Sequence, residues 1–184
     1  MDRVLLDTTV LCGAIISPGV NYKIIQLARS AEFFKPIISE VVVCEFIEHC
    51  RKGLKKITYS EEEIDAFFTA VKPVLDFDNI KRIGIGKELW VDMCKSQRPI
   101  GEFLYNLFYS KTGRKRDDLL RLLDSEGKRL ADIDHGDIHV MYAAIEHNCN
   151  IILTANADDF PRRLGDIEII SPRGYYEYLI RQRT

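Results

Sequence analysis

Residues 131–161 read ADIDHGDIHVMYAAIEHNCNIILTANADDFP. The order of patterns in this stretch decides the fold. Ile138, Met141, Tyr142 and Ile145 fall at i, i+3, i+4 and i+7, so they share one face of a helix. Asp134 is a suitable N-cap, which places Asp137 at the third helical position, in the first turn. The helix is predicted to end near His147-Asn148. Ile151, Ile152 and Leu153 then form the short apolar run of a buried parallel strand. Residues 154–161 leave that strand as a turn carrying Asp158 and Asp159. In an α/β sheet a helix runs roughly antiparallel to the strand it precedes. The start of the helix and the end of the strand therefore lie at one edge. Asp137 and the turn at 154–159 are expected to meet at the carboxyl edge of the sheet, where open α/β folds bind ligands. A plainer account of Asp134 and Asp137 is that they cap the helix and favour its dipole.

The same logic extends upstream. Val4-Leu5-Leu6 is an apolar run that ends in Asp7-Thr8-Thr9, so a first strand carries an acid at its carboxyl end. Ser17-Pro18-Gly19 is a turn, and Ile24, Ile25, Leu27 and Ala28 mark a helix to about Ser30. Residues 33–38 read as a second strand, with Pro36 pointing to an edge or irregular position. Ser39 is a natural N-cap for a helix from Glu40 to about Lys52, with Val43, Ile47, Cys50 and Leu54 on its apolar face. Glu45 lies on the other face. As a solvated helix residue it needs no special role, yet this helix starts at the carboxyl end of strand two. A residue in its second turn can point back over the same edge. Ser60-Glu61-Glu62-Glu63 is a capping box opening a helix that stops before Pro73. Residues 83–130 are helical in pattern, with breaks at Pro99 and Gly113. Residues 167–170 form a last strand, and Ser171-Pro172 opens a terminal helix with proline at its first position. Strands alternating with helices predict an α/β fold with a mostly parallel sheet.

The chain has 184 residues, enough for one domain, here taken as 1–184 with a helical insertion at 60–130. A hydrophobic share of 46% supplies a real core and argues against disorder. With 26 Lys+Arg against 28 Asp+Glu the formal net charge is −2, so binding to nucleic acid requires a local basic patch. Met1-Asp2-Arg3 runs straight into a strand pattern, and no apolar run is long enough to span a bilayer, so neither a signal peptide nor a membrane role is expected. Five cysteines without a Cys-x-x-Cys pair read as buried thiols of a reducing cytoplasm, not as a disulfide frame or zinc ribbon.

Four acidic positions thus converge on one edge: Asp7, Glu45, Asp137, and Asp158 or Asp159. Clustered carboxylates repel one another. No Lys or Arg stands within these acidic motifs, so a hard cation is the economical partner. Oxygen ligands with room for water suit Mg²⁺ or Mn²⁺, and such a site can activate water for attack on a phosphodiester. Thr8 and Thr154 are small hydroxyls placed to orient a carboxylate or a metal-bound water, or simply to close a turn. Competing chemistries lack their signatures. There is no P-loop and no Gly-x-Ser-x-Gly elbow, and Gly84-Ile85-Gly86 lacks the third glycine of a dinucleotide fingerprint. His135 and His139 stand four apart, but Gly136 replaces the glutamate of a zinc-protease helix.

These residues resemble the PIN-domain family. LLDTTVL is similar to its first motif, an acid after strand one followed by a small hydroxyl residue. ISEVVVCEF is similar to the second, with Glu45 as the helix acid. GDIHVMYAAIEHNCNIILTANADDFP is similar to the last block, Asp137 followed by the turn of Thr154, Asn156, Asp159, Phe160 and Pro161. The likeness covers about residues 1–55 and 130–180. It implies a three-layer sandwich around a parallel sheet and a Mg²⁺- or Mn²⁺-dependent ribonuclease site. Many prokaryotic members are VapC-type toxins paired with an antitoxin and often dimeric, so an antitoxin partner, a homodimer and a cytoplasmic setting are implied too. Asp7, Glu45 and Asp137 carry over as metal ligands and catalytic acids. Asn156 stands where many members have an acid, so Asp159 (or Asp158) is the candidate for the fourth position. The acidic cleft repels a phosphate backbone, so RNA would be drawn in by a basic cluster, Lys111, Arg114, Lys115 and Arg116, with Lys52, Lys55 and Lys56 as a second. Two other readings stay open: a PIN-like module that binds RNA or protein without cutting, and a metal-dependent phosphohydrolase of small substrates.

Overall fold

The computed structural model describes residues 1–30, 32–74, 79–81, 137–161 and 163–182. In chain order these form β1 (Asp2–Leu6), α1 (Thr8–Ile16), α2 (Val20–Ala28), β2 (Phe34–Ser39), α3 (Glu40–Lys52), α4 (Glu61–Val71) and β3 (Ile80–Lys81). After residues 82–136 come α5 (Ile138–Glu146), β4 (Ile151–Leu153), a 3₁₀ turn at Ala157–Asp159, β5 (Arg163–Leu164), β6 (Ile167–Ile170) and α6 (Pro172–Arg181).

The strands lie in the order β3-β2-β1-β4-β6-β5. All neighbours are parallel except β5, which runs antiparallel to β6. The first three strands are laid outward on one side of β1. The chain then returns to the other side of β1 with β4. The direction of winding reverses between β1 and β4, so a crevice opens beyond their carboxyl ends.

Side-chain alternation along the strands builds two cores. Val4 and Leu6 of β1, with Ile151 and Leu153 of β4, face a core filled by α1, α2, α3, α4 and α6. Leu5 and Ile152 face the opposite core, filled by Val140, Met141, Ala143, Ala144 and Ile145 of α5. The result is the expected three-layer α/β sandwich. Helix α3 straddles the layers, since Val42 belongs to the first core and Val41 packs against the second.

Several elements follow the sequence closely. Ser39 caps α3 by accepting from the Val42 amide, and the Ser60–Glu63 capping box opens α4. Ser171 caps α6 with Pro172 behind it. Others differ, each for a physical reason. Helix α1 is not visible as an amphipathic pattern, because Val10, Leu11, Cys12 and Ala14 are all buried and no polar stripe marks a helical period. Its Gly13 allows α2 to close down on it: a Cβ there would lie 1.7 Å from Asn21 Nδ2. Pro36 is not on an edge strand, as β2 lies between β1 and β3. The described pairing with β3 begins only at Ile38, beyond the proline. The buried stripe of α3 is Val42, Phe46 and Cys50, one position round from the predicted face, with Val43 and Ile47 on its flank. Helix α5 begins at Ile138 with Asp137 in the N-cap position, whereas Asp134 lies outside the described residues. The two-residue β5 is too short to read from sequence. Cys12, Cys50 and Cys149 are buried as expected, but Cys44 is exposed. Among the described residues no single helix is long and apolar enough to cross a membrane.

Candidate functional site

Strand β1 delivers Asp7 to the reversal point. Its backbone amide continues the β1–β4 ladder by donating to the Leu153 carbonyl, 3.0 Å away. Its carboxylate caps α1 and is almost wholly buried, at 4% exposure. Burial of a carboxylate is tolerated only with donors to match. Asp7 Oδ1 accepts from the Thr8 amide at 2.7 Å. Oδ2 accepts from the hydroxyls of Thr9 at 2.6 Å and Thr154 at 2.7 Å.

Counting protons fixes the direction of this network. A threonine hydroxyl has one proton to give. Thr9 and Thr154 both spend theirs on Asp7, so their mutual approach of 3.3 Å is a contact and not a further hydrogen bond. Their lone pairs accept backbone amides of the turn after β4: Ala155 donates to Thr9 and Asn156 to Thr154. Asp7 thereby shapes the start of that turn through two hydroxyl intermediaries.

Thr8 links Asp7 to the second acid. Its amide serves Asp7, and its hydroxyl donates to Glu45 Oε2 at 2.6 Å. Glu45 sits on the flank of α3, half-buried. Its other oxygen, Oε1, lies 3.1 Å from Nε2 of His139. His139 comes from the first turn of α5, so this contact joins helices from opposite layers across the edge. Burial works against ionisation of Glu45. The hydrogen bond and charge of His139 and the hydrogen bond from Thr8 act the other way, and the carboxyl is held below its usual value. His139 is itself 5% exposed, and its Nδ1 has no hydrogen-bond partner among the described residues. Cys12 stands nearby on α1. Its thiol is pushed up to about 12, first by burial and then by Cys50, Asp7 and Glu45, so it is no nucleophile at neutral pH.

Asp137 occupies the N-cap position of α5, half-buried, and makes no side-chain cap bond. Asp158 and Asp159 lie exposed in the 3₁₀ turn, and Asn156 is exposed before it. Among the described residues, Asp7, Thr8, Thr9, Thr154, Glu45 and His139 form one connected group. Thr9 and His139 were absent from the sequence-derived site. Thr9 could have been found from the doubled hydroxyl after Asp7, and His139 from its place two residues after Asp137. His135, the other half of the considered zinc pair, lies outside the described residues, as do Lys111, Arg114, Lys115 and Arg116. Lys52 bonds Glu48 and stands seven residues beyond Glu45, about 10 Å along a helix running away from this edge. Lys55 and Lys56 follow farther still, in a turn where both have positive φ. The second basic cluster therefore belongs to the opposite edge.

Among the described residues, no three His, Cys, Asp or Glu side chains gather as a ready-made metal cage. The donor chemistry nevertheless fits Mg²⁺. That ion is held by one or two carboxylates together with water and substrate oxygens, not by an all-protein cage. Asp7 and Glu45 supply two such carboxylates, and neither is neutralised by a described Lys or Arg.

No sequence family and no curated protein matches the chain. Among solved structures, the crystal structure of VapBC2 from Rickettsia felis bound to a DNA fragment from their promoter aligns with a TM-score of 0.52 at 18% identity. The alignment covers 92% of this chain and 98% of that one. The fold is PIN-like. At this identity the likeness speaks for the fold alone. What the site does must be argued from its own residues.

Proposed function

We propose that this PIN-like chain is a metal-dependent ribonuclease that hydrolyses RNA phosphodiester bonds at the carboxyl edge of β1 and β4. The observation that carries the reading is the Asp7–Thr8–Glu45 group: two acids tied by one threonine, at the reversal point of the sheet, with no described Lys or Arg bonded to either. A pair of held carboxylates with no Lys or Arg bonded to them among the described residues favours a hard cation over an anion. Asp7 and Glu45 would hold Mg²⁺ or Mn²⁺, with Asp137 toward the same ion and Asp159, Asp158 or Asn156 in the fourth place. When bound, such an ion supplies a Lewis acid and an activated water.

The chain's own residues have distinct tasks. Thr8, Thr9 and Thr154 fix the rotamers of the acids, which lowers the entropy lost when substrate binds. Lys111, Arg114, Lys115 and Arg116 are proposed to draw the RNA backbone toward an edge that would otherwise repel it. The VapBC2 likeness favours a toxin with an antitoxin partner, and a homodimer, over a stand-alone enzyme.

The test is cleavage of RNA by purified protein with Mg²⁺ or Mn²⁺. Asp7→Asn should cut the rate by at least about 100-fold, the scale of losing an electrostatic contact in a reacting site. Asp137→Asn should do the same, and Asp159→Asn should do less harm. Binding of RNA without cleavage would replace this reading by a non-cutting module. Turnover of an aryl phosphate but not of RNA would replace it by a small-substrate phosphohydrolase.

A further inference from the structure

We propose that His139 is a positioning residue for Glu45, holding the α3 carboxylate against the end of β1 so that it shares a site with Asp7. The proposal rests on the reading that Asp7 and Glu45 hold a divalent cation, and adds a residue to that site.

The two acids are fixed very differently. Asp7 is on the first residue after a strand, is buried, and is gripped by three donors. Glu45 reaches in from the flank of a helix on a longer side chain, and its side chain is one-third exposed. A glutamate has several rotors to freeze, and one donor leaves the carboxylate free to swing. Thr8 fixes Oε2 from the β1 side. His139 Nε2 faces Oε1 from α5, on the far side of the edge. Two donors on the two oxygens set the plane of the carboxylate as well as its position.

The burial of the imidazole supports this role over general-base chemistry. Nδ1 is shut away from solvent and has no described partner, so it has no route to a substrate proton. Of the two ring nitrogens Nε2 is the one that faces the carboxylate, so the proton that the contact uses is the one on Nε2. Outer donors of this kind set the orientation of ligating carboxylates, and their loss typically lowers metal affinity about 10–100-fold.

The experiment compares His139→Gln with His139→Asn. The glutamine amide nitrogen reaches the place of Nε2, whereas the shorter asparagine reaches only that of Nδ1. Binding of Mn²⁺ alone is measured by titration calorimetry, and folding by thermal melts. The expected result is a loss of about 10–100-fold in Mn²⁺ affinity for His139→Asn and recovery of most of it in His139→Gln. Equal affinities in wild type and His139→Asn would overturn the proposal, as would a Gln variant as weak as Asn when both melt alike. A second readout uses no metal: nitrogen-15 spectra of the wild-type imidazole should show a protonated Nε2, and a bare Nε2 would also overturn it. If neither wild type nor Asp7→Asn binds Mn²⁺, the metal reading fails, and the Nε2 signal alone decides whether His139 holds Glu45.

Discussion

The two ends of the β1–β4 pair are fastened by opposite means. At the amino edge, Arg3 and Asn150 exchange bonds that mostly involve peptide groups: the Arg3 amide donates to Asn150 Oδ1, the Asn150 amide to the Arg3 carbonyl, and the Arg3 side chain to the His147 carbonyl. Asn150 is exposed, and water can substitute for its contacts. At the carboxyl edge the fastening is made by side chains: Asp7, Thr9 and Thr154, with Thr8 and Glu45 alongside. Five buried polar side chains, Asp7, Thr8, Ser39, His139 and Thr154, lie at this edge. A sheet does not require such an arrangement, because the amino edge shows that backbone groups and solvent suffice. Buried polar groups concentrated at one edge are costly to arrange, and they are kept where a site must be rigid before its ligand arrives.

The contrast can be broken by mutation. The largest effect is expected for Asp7→Ala, which strands the Thr8 amide and the Thr9 and Thr154 hydroxyls in a buried place. A loss of about 2–4 kcal/mol should follow, read from urea unfolding midpoints. A loss below about 1 kcal/mol would mean that water reaches the site freely and that the edge is not the dry network described.

A medium effect is expected from acid. The folded value of the Glu45 carboxyl lies below the ordinary 4.5, so ionised Glu45 stabilises the fold above the unfolded value. That contribution disappears as pH falls through the folded value. Wild type should therefore exceed Glu45→Gln in stability at pH 6, and the gap should shrink toward pH 3. A gap that stays constant over this range would show that Glu45 gains nothing from its partners in the folded state. The smallest effect is expected for Asn150→Ala at the other edge, at about 0.5–1.5 kcal/mol, with no change in metal binding. A larger loss there than for Asp7→Ala would erase the distinction between the edges.

What was legible in the sequence follows the same division. Elements with a polar face or a capping residue were readable, such as α3 behind Ser39, α4 behind its capping box and α6 behind Ser171-Pro172. Helix α1 was hidden because it is buried on almost every side, and a helix without a wet face leaves no period in the sequence. The face of α3 was misplaced by one position because Val42 and Val43, and Phe46 and Ile47, are equally apolar pairs. Asp7, Thr8, Glu45 and Thr154 were named from edge geometry and motif likeness, and they are found hydrogen-bonded in one group. Their mutual wiring was not legible, since it depends on which hydroxyl proton points at which oxygen. His139 escaped because a histidine on an apolar helix gives no sign of a partner 94 positions earlier in the chain.

The bond from Thr154 to Asp7 spans 147 positions of sequence. On the ribosome this separation is a delay. At about 5–20 residues per second, Asp7 is polymerised about 7–30 s before Thr154. A nascent chain that has reached residue 130 already carries Asp7, Thr8, Thr9 and Glu45, but neither His139 nor Thr154. Until Thr154 is made, the nascent chain holds the earlier parts of its site without the clasp that assembles them, and whatever chemistry the finished edge performs is withheld until then.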